Sequence, residues 1–321
     1  SSDPTFIANG ITFNNTGTVN VQSGRLYAYE DGTASGGASF NVAADAELGL
    51  FGPLYTLQDA TTITTAGTFS WNGVANSTVD ITGTGSLDLR GTANGTVSIL
   101  GDFDPLFTGL TVNDTLNLDG SFTWIDNSWL SGLGTTRLSA ATTLTISVPF
   151  AGNYKQITGG HTLENAGTIV WTGGNIYLAD ESVINNLAGA TFDIQTDADI
   201  SWINNNIGNG TFNNAGTLLK SIGSGSSDPT FIANGITFNN SGTVNIQSGT
   251  LYAYEDGAAS GTASFNVAAD AELGLFGPLY TIQSPTTITT AGTFSWNGIA
   301  NSTVDITGTG SLDLRGTANG A

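Results

Sequence analysis

Carboxylates are the side chains in this sequence best suited to chemistry. Asp45 with Glu47, Asp102 with Asp104 and Asp197 with Asp199 stand two residues apart, and Glu30 adjoins Asp31. In an extended segment a spacing of two places both groups on one face. Two such carboxylates could share acid and base work on a glycosidic bond. With further oxygens they could instead hold Ca²⁺, which takes about six to eight ligands.

Catalysis is the weaker of these readings. Lys and Arg together number 6, and Arg25 alone lies close to a carboxylate pair. Its counterpart 225 residues later is Thr250, while Asp45/Glu47 and Glu30/Asp31 recur as Asp270/Glu272 and Glu255/Asp256. A pair repeated along an array suits binding or solubility better than a single cleft. The sequence therefore predicts no catalytic residue and no required cofactor. Asp45, Glu47, Asp270 and Glu272 are the candidates for a Ca²⁺ site, although no calcium-binding nonapeptide pattern is present. The simpler account is that they are solvated and keep the surface soluble. His161, the single histidine, follows Gly159-Gly160 and reads as a surface turn residue. There is no cysteine, which removes thiol catalysis, disulfides and Cys-based zinc sites together.

Aromatic side chains offer a second kind of chemistry, stacking on sugar rings. Tyr27, Tyr29 and Tyr55, their copies Tyr252, Tyr254 and Tyr280, and Trp129 are the candidates. On a strand Tyr27 and Tyr29 share one face, and Leu26 and Ala28 the other. If Leu26 points inward, Tyr27, Tyr29, Tyr252 and Tyr254 form an outward stripe able to meet a glycan or another copy of the chain. If the tyrosines point inward, they are core.

The elements that position these groups follow from repetition. Residues 1–95 recur at 226–320 with nine substitutions, among them Val21/Ile246, Leu57/Ile282 and Val74/Ile299. The chain thus reads as one complete unit over 1–225 and the start of the next over 226–321, joined in one continuous rod. Within the unit a shorter period of about 25 residues carries apolar pairs two apart, such as Phe40 with Val42, Leu116 with Leu118 and Phe192 with Ile194. That spacing marks strands, and Gly, Asn, Asp and Ser between them mark turns. A segment this short cannot bury a face alone, so successive coils must stack. The expected fold is an all-β, right-handed parallel β-helix, its hand taken from the rule for parallel crossovers. Asn-rich phrases that end in Gly-Thr and begin at Asn14, Asn165, Asn213 and Asn239 fall at nearly one phase of the coil and predict a ladder of stacked Asn side chains.

Composition narrows the partners. The net charge is −20, although only 10% of residues are charged and 39% are hydrophobic. Such a surface lacks the basic footprint that nucleic acid requires and is not drawn to anionic membranes. No apolar run approaches the length of a membrane span.

Phrases such as ITFNNTGTVNVQSGRLYAYEDG, GASFNVAADAELGLFG, TLENAGTIVWTGGNIYL and TFNNAGTLLKSIGSG resemble the tandem β-strand repeats of very large bacterial surface proteins of the adhesin and autotransporter-passenger kind. The resemblance covers essentially the whole chain. It implies an extracellular, cell-surface fibrous protein with a β-helical fold, and it carries over no catalytic or ligand residue. The function expected is a structural fibre or matrix filament whose rods associate with one another. The alternatives are an adhesin stalk that presents a distal binding domain and a polysaccharide-active β-helix enzyme.

Overall fold

The computed structural model describes residues 3–104, 109–125, 127–148, 152, 154–202, 210–224 and 227–319. All regular structure among them is β-strand, and the strands pair in parallel. The chain forms a parallel β-solenoid of about 14 turns of roughly 21 residues. Two compact units, 1–145 and 146–321, divide it. The start of the second sequence copy at residue 226 therefore lies inside the second unit.

Each turn contributes strands to three faces. In the first unit one face runs through Thr18–Val21, Ser39–Val42, Thr61–Thr65 and residues 79–83. Its inward column is Val19, Phe40, Ile63, Ile81, Ile99, Leu118 and Leu138, each in register with the next. A second face stacks Leu26, Leu48, Phe69 and Leu87. The third stacks Ala34, Leu57, Ala75, Ala93 and Val112. Small residues on the third face let the other two approach across a narrow interior. The second unit repeats the plan, with Ile169, Phe192, Leu218, Val244, Phe265 and Ile288 forming one inward column. Alternation along each strand produces this core, because every second side chain faces in.

The turn is shorter than the 25-residue period read from the sequence, and its length varies. Asn76, Asn94 and Asn113 pair one turn apart at separations of 18 and 19 residues. Asn165, Asn186, Asn214 and Asn240 do so at 21, 28 and 26. The short turns arise where one strand continues around a corner, as Val79–Leu89 does, and so dispense with a loop. Gly83, Gly101 and Gly120 stack at that corner with φ of +126°, +142° and +136°. A β-carbon there would strike the backbone carbonyl of the preceding turn, so only glycine fits.

Candidate functional site

The aromatic residues converge on one exposed patch in each unit. In the first, Phe6 and Tyr27 occupy one outward column with Gly49, in register across three turns. The neighbouring column carries Ala8, Tyr29 and Phe51, aligned by backbone bonds from Tyr29 to Ile7 and from Phe51 to Ala28. The four rings therefore form two stacked pairs offset by one turn, with Ala8 beside one end and the Phe51 ring lying over Gly49 at the other. Ring centroids are 5.9 Å apart for Phe6–Tyr27, 6.1 Å for Tyr27–Tyr29 and 5.3 Å for Tyr29–Phe51. The second unit repeats the arrangement with Phe231, Tyr252, Tyr254 and Phe276, at 5.9, 6.0 and 5.3 Å. Leu251 is fully buried there, so the tyrosines face outward. Tyr29 is 46% exposed and Tyr254 44%.

The strand alternation that buries Leu48 and Leu50 also sets Glu47 on the outer surface beside Tyr27. Burial, reinforced by the Glu47 carboxylate, pushes the Tyr27 phenol up to about 12. Burial and Glu272 do the same to Tyr252, also to about 12. Arg25 reaches Glu47 at 3.2 Å in the first patch, whereas the second has Thr250 in its place.

Other candidates fall elsewhere. Tyr55 and Tyr280, candidates for sugar stacking in the sequence, are wholly buried, and their hydroxyls lack a hydrogen-bond partner. Burial raises both phenol pKa values. The sequence reading missed this because Tyr55 follows a turn and Tyr280 follows a register shift within its strand, and either breaks the alternation. His161 is also buried rather than at the surface. Trp129 is exposed, as its outward strand position requires.

The carboxylate pairs do not share an extended strand. Asp45 sits in a tight turn closed by the Ala46 N–H donating to the Ala43 carbonyl at 2.9 Å, and Glu47 is the second residue of the strand beyond it, Ala46–Leu50. In the copy Asp270 adopts φ +62°, with Ala271 closing the same turn. Asp270 and Glu272 border a shallow groove of about 330 Å³ with Thr250, Thr293 and Ser311. Among the described residues no group of three or more His, Cys, Asp or Glu is placed to hold a metal ion.

Two asparagine ladders run along the second unit. The inner one links Asn165, Asn186, Asn214 and Asn240, each amide donating to the next side-chain carbonyl at 2.8, 2.7 and 2.8 Å. All four are buried. The second hydrogen of the first three amides goes to the carbonyls of Thr191, Thr217 and Thr243, each at 3.0 Å. The outer ladder links Asn185, Asn213 and Asn239 at 2.9 Å per rung. Of the four asparagines expected to stack, Asn165 belongs to the inner ladder and Asn213 and Asn239 to the outer. Asn14 lies in the other unit and accepts from the Thr33 N–H at 3.0 Å.

Sequence reasoning missed Lys220. It occupies the inward column between Ile194 and Ile246 and is fully buried. Its ammonium donates to the Thr196 carbonyl at 2.8 Å, Thr230 Oγ1 at 3.0 Å and Asp197 Oδ1 at 3.1 Å. Burial lowers the Lys220 pKa against the opposing pull of Asp197. Burial alone would raise Asp197, but hydrogen bonds from Ser224 and Lys220 hold it below the usual range. The available signal was a lysine two residues after Leu218, on the face otherwise filled by apolar side chains. Asp199 takes a different partner, the Phe231 N–H at 2.9 Å, and burial raises its pKa.

Comparison of the chain with protein-family models, with curated proteins and with solved structures finds no match.

Proposed function

We propose that the chain is a structural repeat of an extracellular, cell-surface fibre or matrix filament. The observation that supports this reading is the parallel pairing of strands turn upon turn in each unit. Backbone ladders and asparagine rungs then both run along the stacking direction, where they resist extension and bending together. Function on this reading comes from length, stiffness and a surface offered many times over, so that weak contacts add by avidity. A surface of net charge −20 repels its own kind. Side-by-side packing of rods therefore needs bridging cations or a neutral polymer between them.

Electron microscopy of multi-repeat material, with and without EDTA, tests the proposal. Unbranched filaments that bundle side by side support it, and their dispersal by EDTA would assign the bridging to divalent cations. Compact particles with no filaments would sink it. The same charge favours a second reading, in which the rods stay apart and serve as a stalk for a distal binding domain. Separate, unbundled rods in both conditions would select that reading.

A further inference from the structure

We propose that each aromatic patch is a binding platform for a neutral glycan chain, with pyranose rings lying against Tyr29 and Phe51 in one copy and against Tyr254 and Phe276 in the other. Three observations carry this. The first is the layout of the rings. Aromatic side chains that serve only to stabilise a solenoid can stack directly above one another in one column. Here Phe6 and Tyr27 stack in one column and Tyr29 and Phe51 in the neighbouring one, offset by one turn, so the rings spread over two columns. Phe51 leans over Gly49 so closely that a β-carbon there would strike its ring, and Gly274 stands in the same relation to Phe276. The result is a broad surface spread over three strands, roughly 10 Å across at the usual strand spacing.

The second observation is that the platform is open in both copies. Tyr254 has further turns on either side of it and still keeps 44% exposure, close to the 46% of Tyr29. Sugar C–H groups carry partial positive charge and fit the negative faces of such rings.

The third is the charge of the rim. Glu47 lies against the Tyr27 hydroxyl, and Glu30 and Asp31 fix the neighbouring turns by accepting from the Gly10 and Leu54 N–H groups at 3.1 and 3.0 Å. Carboxylate oxygens have lone pairs to spare for sugar hydroxyls. The second platform has Thr250 where the first has Arg25, which leaves carboxylates such as Glu272 and Glu255 as its charge. An anionic polysaccharide would be repelled there, and so would a second copy of this chain bearing the same acidic rim. A neutral glycan is the occupant that the rim accepts. The assignment stands apart from the fibre reading, since a stalk could carry the same platforms.

The test is a calorimetric titration of the 321-residue chain with the neutral hexasaccharides of β-1,4-linked glucose and β-1,4-linked N-acetylglucosamine. A galacturonate oligomer of equal length is the charged control. Binding of a neutral hexasaccharide and not of the galacturonate is expected. The double variant Tyr29→Ala with Tyr254→Ala should weaken binding at least about tenfold, while a single cooperative unfolding transition, lowered only by the lost ring contacts, shows that the fold is kept. Tyr29→Trp with Tyr254→Trp should retain binding, because it keeps a ring at each position. Absence of binding to both neutral hexasaccharides would overturn the assignment, and so would undiminished binding by the alanine variant. Sedimentation velocity supplies a further outcome. Self-association of the wild-type chain that the alanine variant abolishes would mean that the platform receives a second copy, which also overturns it. Filament formation is read by microscopy, so failure here leaves the fibre reading standing.

Discussion

Gly49 lies directly beneath the ring of Phe51, and the same ring touches Tyr27 and Tyr29 with centroids 5.4 and 5.3 Å away. The glycine is there for space. A methyl group at residue 49 must push Phe51 off its seat or move Tyr27, whose ring carbon would be 2.9 Å from it. Gly49→Ala should therefore cost about 1–2 kcal/mol, the worth of the disturbed ring contacts plus local strain. Thermal unfolding of Gly49→Ala and of Gly274→Ala should show similar losses, because the two sites share one geometry. An unchanged melting temperature in both would mean that the rings do not rest on these glycines.

The inner and outer asparagine ladders should differ in weight. Asn186 is buried and bonds to Asn165, Asn214 and the Thr217 carbonyl, so Asn186→Ala strands buried groups on its neighbours. A loss of about 2–4 kcal/mol is expected. Asn213 is only partly buried, and water can replace its rungs. Asn213→Ala should cost less than about 1 kcal/mol. Urea denaturation of the two variants decides the matter by the order of their midpoints.

The Lys220–Asp197 pair should respond unequally to loss of either partner. Asp197→Ala leaves a fully buried ammonium without its counter-charge, and about 2–4 kcal/mol should be lost, somewhat less than for a wholly enclosed pair because the carboxylate is 14% exposed. Lys220→Met fills the same column with an apolar side chain and should cost little or raise stability. If Lys220→Met is the more damaging change, the three hydrogen bonds outweigh the burial of charge.

The pair also fixes a pH dependence. Asp197 titrates lower in the folded than in the unfolded chain, so its stabilising share is full above the ordinary carboxylate range and is lost as pH falls through its depressed value. Lys220 titrates lower when folded, so stability rises with pH between its folded value and the ordinary 10.5. Asp197→Asn should flatten the acid limb of a plot of stability against pH. An unaltered limb would assign acid unfolding to other carboxylates.

The tyrosine platform can be watched directly. With Tyr27 and Tyr252 at about 12, their tyrosinate absorbance should develop late, well above the ordinary 10.0. A phenol raised on folding stabilises the fold below pH 10 and ceases to do so as pH climbs through 12. Glu47→Gln removes a neighbouring negative charge and should shift part of that absorbance to lower pH. No movement would leave burial as the whole cause.

Much of this was legible in the sequence, for a physical reason. Apolar residues two apart, such as Phe40 with Val42 and Phe192 with Ile194, must face one side of a strand. Segments too short to bury a face alone must stack. The asparagine phrases were legible too, although their phase was not. Counted back from glycine the inner rung is the residue two before it, because its side-chain oxygen accepts that glycine's N–H, as Asn165 does from Gly167 and Asn240 from Gly242. Counting from the first asparagine of each phrase instead mixes Asn165 with Asn213 and Asn239, which belong to different ladders. The burial of Tyr55, His161 and Lys220 was hidden for another reason. Their side chains follow turns or break the apolar pattern, and only the neighbouring coils decide which way they point. Coil length was hidden because a strand that rounds a corner on glycine, as residues 79–89 do, leaves no turn residues to mark where one face ends.

The inner ladder has a bearing on how such a chain can change. Its rungs keep lengths of 2.7 to 2.8 Å while the chain between them runs for 21, 28 and 26 residues. Each rung sets the level of its turn independently of how far the backbone wanders before the next. Turns of different length thus meet the same rung spacing, and the stack above and below keeps its register. The array can acquire or lose loops one turn at a time, and those loops are the natural places to graft a foreign peptide for display.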